Sequence, residues 1–77
     1  MGIEYHTDHA VIQAHASVEE AETLCQWLRE APDRGVDLAA CTHLHAAVLQ
    51  VLMALRPRIL AEPPNPWLRR VTSRAGA

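Results

Sequence analysis

Cys41, His43 and His45 stand at alternate positions in AACTHLH, a C-x-H-x-H cluster of zinc-ligand types whose side chains point the same way on an extended backbone. A fourth ligand would come from His6, His9, His15 or Asp37. The spacing matches none of the established zinc patterns, and the same residues read as polar loop histidines beside a buried cysteine. That second reading is preferred, and no metal or cofactor is expected. Asp37 with His43 or His45 is a candidate acid/base pair, and Cys41 a candidate thiol nucleophile. The loop lacks the glycines that would turn backbone N–H groups onto a reacting oxyanion, and 77 residues leave little room to enclose a substrate. No catalytic residue is therefore expected. In the structural alternative Asp37 accepts backbone hydrogen bonds ahead of the following helix, and Thr42 caps that helix or takes a phosphate.

The elements around this loop follow from periodicity and capping. Ile3 to Tyr5 and the stretch HAVIQAHA around Val11 and Ile12 read as two strands, joined as a hairpin across Thr7 and Asp8. Ser17, with Glu20 three positions on, is a capping box that starts a helix over VEEAETLCQWLRE. Val18, Ala21, Leu24, Cys25 and Leu28 give that helix one apolar stripe, and Pro32 and Gly35 end it. VDL at 36–38 is a short strand reached by a turn at Asp33, Arg34 and Gly35. HAAVLQVLMALR is a second helix, closed by Pro57. Its apolar residues Val48, Leu49, Val51, Leu52, Met53 and Leu55 lie on more than one face, so it should be sandwiched between the sheet and something else, such as a partner. RIL at 58–60 is a last strand. AEPPNPW excludes regular structure by its three prolines, WLRRV is expected to form one final helical turn, and TSRAGA is expected to be disordered. Trp67 should fold back on the sheet edge, or else anchor an interface.

Composition bounds the class. Apolar residues make up 49% of the chain and charged residues 21%, the balance of a folding chain of one domain. Without Phe, the core must be Leu, Val, Ile and Ala. The formal charge is −2, with seven arginines and no lysine, which argues against a basic nucleic-acid footprint. All-Arg usage with abundant Ala matches a GC-rich bacterial genome. Charge is nonetheless polarised: Glu19, Glu20, Glu22 and Glu30 sit in the first helix, and Arg56, Arg58, Arg69, Arg70 and Arg74 in the last third. MGIEYHTDH does not read as a signal peptide, and no run is long enough to insert in a membrane, so a cytoplasmic protein with reduced thiols is expected.

VDLAACTHLHAAVLQVLMAL resembles the central signature of STAS domains, the sulfate-transporter and anti-sigma-factor-antagonist family. There a strand ending in aspartate and a small loop lead into a helix whose first turn carries a phosphorylatable serine or threonine. Asp37 stands at the strand-end aspartate, Leu38 to Leu44 at the loop, and Val48, Leu49 and Leu52 at the helix's apolar positions. AVIQAHASVEEAETLCQWL looks like the family's second strand and first helix. His45 stands where the family has an aspartate before its phospho-acceptor, and Ala46, at the acceptor position, has no hydroxyl. The resemblance implies a short, divergent member: a STAS-like domain over 1–62, then a Pro-rich C-terminal tail over 63–77. The fold implied is a small α/β sandwich, a mixed sheet of about four strands with two main helices on one face. The function implied is a non-catalytic regulatory protein-binding module. It would dock a histidine-kinase-like ATPase of a two-component, chemotaxis or anti-sigma system without serine phosphorylation switching. The docking residues would be Asp37, Cys41, Thr42, His43, His45, Ala46 and Leu49. The alternatives are a STAS-like subunit of an ABC lipid transporter, a metal-binding or thiol-active protein using Cys41, His43 and His45, and a homodimer.

Overall fold

Ser17 starts the first helix as its sequence requires. Its side chain accepts the Glu20 N–H at 3.4 Å, and the Glu20 carboxylate accepts the Ser17 N–H at 3.2 Å, so two otherwise orphaned donors are satisfied reciprocally. The Glu20 carboxylate also accepts the Gly2 N–H at 3.0 Å, which ties the first strand to the helix. In the computed structural model, which describes residues 2–13 and 17–76, the elements are β1 (Ile3–Tyr5), β2 (His9–Ile12), α1 (Val18–Glu30), β3 (Gly35–Asp37), α2 (Ala46–Leu55), β4 (Arg58–Ala61) and α3 (Pro66–Gly76). His15 lies outside the described residues.

The four strands form one mixed sheet in the order β1-β2-β3-β4, with β1 antiparallel to β2 and the other pairs parallel. The register aligns Ile3 with Ile12, Tyr5 with Ala10, Ala10 with Val36 and Val36 with Ile59. Because side chains alternate across a strand, these residues share one face, and α1 and α2 bury it. Tyr5 packs on Trp27 of α1 with ring centroids 5.2 Å apart, and the Arg34 guanidinium lies 4.5 Å over the same indole. Ile12, Leu24, Leu38, Leu52, Val36 and Val48 are fully buried between the layers. Each is worth about 1.5–3 kcal/mol of transfer free energy, so the helix–sheet seam dominates stability. The opposite face presents Glu4, Arg58 and Leu60 to solvent. Gly35 is required there: a Cβ would come within 2.9 Å of Leu60 Cγ and 3.0 Å of the Arg58 carbonyl oxygen.

The small α/β sandwich with a mixed four-stranded sheet agrees with the expectation from sequence. The C-terminal tail does not. Residues 66–76 form a helix that packs on α2 and β4, with Leu68 and Thr72 buried. Its start is local chemistry: the Asn65 side chain accepts the N–H groups of Trp67 at 2.8 Å and Leu68 at 3.2 Å, and Pro66 occupies the first helical position, where no N–H is needed. Three prolines therefore precede or open a helix instead of excluding one. Thr72 satisfies its buried hydroxyl by donating to the Leu68 carbonyl at 2.7 Å. Trp67 points outward and is 62% exposed, so it does not fold back on the sheet edge. The extra apolar faces of α2 are likewise explained within the chain, since α1 and α3 flank it on either side.

Candidate functional site

The loop between β3 and α2 is pinned from beneath and open above. Asp37, at the end of β3, accepts the Ala39 N–H at 2.9 Å, and a turn returns the Cys41 N–H to the Leu38 carbonyl at 3.0 Å. Leu38 and Cys41 are buried at 0% and 1% exposure, and act as two pegs that hold the turn against the core. Ala39, Ala40, Thr42, His43 and His45 are exposed above them. Ala46 opens α2 and is exposed, whereas Leu49, one turn on, is half-buried.

Two sequence expectations change here. Cys41, expected at a docking surface, packs in the core beneath the loop and is not exposed. Its S–H points at the His43 carbonyl oxygen, 3.6 Å away, and burial pushes the thiol up from its usual range, with that backbone contact pulling weakly the other way. Burial at 1% exposure also keeps the sulfur away from solvent and from the exposed His43 and His45 side chains. Thr42 does not cap α2. His45 does: its Nδ1 accepts the Ala47 N–H at 3.0 Å from a cap position with extended backbone. That fixes Nδ1 as the unprotonated nitrogen and turns the ring along the helix start. The C-x-H-x-H residues do not converge, and among the described residues no group of three or more His, Cys, Asp and Glu side chains is placed to hold a metal ion.

What the loop and α2 share is the absence of charge. From Leu38 to Leu55 there is no Asp, Glu, Lys or Arg, yet Ala39, Ala40, Thr42, His43, His45, Ala46, Gln50, Met53 and Ala54 are all exposed. Ala46, Gln50 and Met53 recur at helical spacing and form one outward stripe, with Met53 52% exposed. Across the α2–α3 crevice Met53 meets Trp67, Arg70 and Val71. Met53 is named from sequence only as an apolar residue of the second helix, whereas Trp67 already stands there as an alternative interface anchor. The signal for Met53 was its seven-residue offset from Ala46, and for Trp67 the Asn-Pro that opens α3. Met53 and Trp67 are thus large exposed apolar side chains beside a run without charge, with Arg70 at its edge.

The fold and surface thus define a small two-layer α/β domain presenting an uncharged loop-and-helix face. No family model, curated protein or solved structure matches the chain. Among the described residues no helix is long and apolar enough to cross a membrane.

Proposed function

We propose that the chain is a non-catalytic, cytoplasmic regulatory module that docks a protein partner through the β3–α2 loop and the outward stripe of α2. The observation that carries this reading is the uncharged surface from Ala39 to Met53, held in a fixed shape by Leu38, Cys41 and the His45 cap. Its partner is a kinase-like signalling protein of the histidine-kinase ATPase type, as the likeness of VDLAACTHLHAAVLQVLMAL to STAS domains implies. A strand ending in Asp37, a short pinned loop and an apolar helix, in that order, support the likeness. Ala46 is exposed at the helix start and cannot take a phosphoryl group, so docking on this reading is constitutive.

The test is affinity capture from native lysate with wild type and Ala46→Glu. A carboxylate at the first helical position is favoured by the helix dipole, so the variant keeps its fold and changes only the surface. A kinase-type ATPase retained by wild type and lost by Ala46→Glu supports the proposal. Equal recovery by both, or an ABC-transporter ATPase in place of the kinase, overturns it.

A further inference from the structure

A second surface lies on the other flank of α2. Val18, Ala21, Cys25, Ala47 and Val51 floor a groove of about 550 Å³ between α1 and α2, and Glu22, Gln26 and Arg29 form its rim. Val18 is 53% exposed although it sits in the first turn of an otherwise well-packed helix. Val18, Glu22, Cys25 and Arg29 succeed one another at spacings of four, three and four, so they form one straight seam along α1, distinct from the core stripe of Ala21, Leu24 and Leu28. Glu22 and Arg29 are exposed, and neither has an ion-pair or hydrogen-bond partner among the described residues. They stand two helical turns apart, about 10 Å along the axis, too far to pair with each other.

We infer that this groove is the interface of a two-fold homodimer in which α1 of one copy lies antiparallel to α1 of the other. The occupant follows from the charges. A two-fold axis passing between Cys25 and Gln26 places Glu22 of each copy opposite Arg29 of the other, so both charges are paired twice at once. Cys25 then sits beside the axis, and Val18 and Val51 cover the flanks. A surface with one acid and one base placed symmetrically about an apolar centre is complementary to itself, which is what an isologous contact demands. The inference is independent of partner docking, because Thr42, His43, Ala46 and Leu49 do not line this groove.

The test is sedimentation equilibrium of wild type, Glu22→Arg, Arg29→Glu and the double reversal. Each single reversal sets two like-charge contacts across the axis and is expected to weaken self-association roughly tenfold or more, while the double reversal restores it. Ala46→Glu should dimerise as wild type does. A short bis-maleimide should join the two copies through Cys25, with the product lost in Cys25→Ser and kept in Cys41→Ser. That measurement needs no charge variant, so it stands if a reversal impairs folding. A wild type that stays monomeric at high micromolar concentration, a folded double reversal no better than the singles, or a cross-link absent from wild type overturns the inference.

Discussion

Leu68→Ala measures whether α3 belongs to the folded unit. Leu68 is 5% exposed and packs where α3 meets α2 and β4. Truncating a buried leucine to alanine costs about 2–5 kcal/mol, the sum of lost transfer energy and the cavity left behind. Because α3 is the outermost helix and has neighbours on one side only, the gap can partly close, so the lower part of that range applies, about 2–3 kcal/mol. A domain of this size loses roughly 4–8 °C of Tm per kcal/mol, which puts the expected fall at about 10–20 °C. Arg70→Ala on the same helix removes a longer side chain from an exposed position and should stay within about 0.5 kcal/mol. Asn65→Ala, which strips the acceptor from two backbone N–H groups, should fall between them at about 1 kcal/mol. Thermal and urea unfolding followed by circular dichroism read all three. A Leu68→Ala protein that melts within a degree or two of wild type would mean that the helix is not docked, and the packing of α2 between α1 and α3 would have to be abandoned.

Three further outcomes follow from the site and its surroundings. His45→Ala, which leaves the Ala47 N–H without its acceptor, should cost about 1 kcal/mol in urea unfolding, whereas His45→Asp keeps an acceptor, adds a charge the helix start favours, and should match or exceed wild type; equal losses for both would refute the cap. In dilute native protein, maleimide mass labelling should modify the half-buried Cys25 and reach Cys41 only as the chain opens; labelling of Cys41 at the rate of Cys25 would contradict the buried peg. Burial, with Glu20 adding to it, raises the Tyr5 phenol above its ordinary value, so the folded state holds that proton more tightly than the unfolded chain. The linked stability is complete below the unfolded value near 10 and is lost as pH rises through the folded one, and Tyr5→Phe should flatten the alkaline limb of a stability–pH curve. Parallel limbs for the two proteins would count against it.

Where signals are local the sequence is legible. Ser17 and Glu20 specify the start of α1 by themselves, and alternation in Ile3–Tyr5 and His9–Ile12 specifies the hairpin, because each needs only neighbours along the chain. The loop between β3 and α2 is legible from sequence as a position but not as an orientation of its side chains. Cys41 and Thr42 are adjacent and equally polar in pattern, and only the turn that returns the Cys41 N–H to Leu38 decides that one faces the core and the other solvent. The sequence offers His45 as a polar loop residue, a docking residue or a metal ligand, and its nitrogen serves a backbone donor two residues on, a role that spacing alone does not reveal. α3 was hidden by counting prolines rather than placing them: Pro66 sits where a helix tolerates it, and the Leu68–Thr72 pair shows its one buried stripe only once α2 is beside it.

The run without charge from Leu38 to Leu55 also bears on the rate of the proposed docking. On the proposed docking, this run supplies no steering charge of its own, so encounter should proceed near the unassisted rate of about 10⁵–10⁶ M⁻¹s⁻¹, with a salt dependence set only by flanking residues such as Arg70. Its residence time then rests on how closely Met53 and the loop fit. The α1 seam is the opposite case, since Glu22 and Arg29 are exposed charges whose attraction fades within a Debye length of about 8 Å at physiological salt. Raising ionic strength should therefore weaken the proposed α1 contact more than the proposed docking at the loop and α2, so that salt can help tell the two apart in a single preparation.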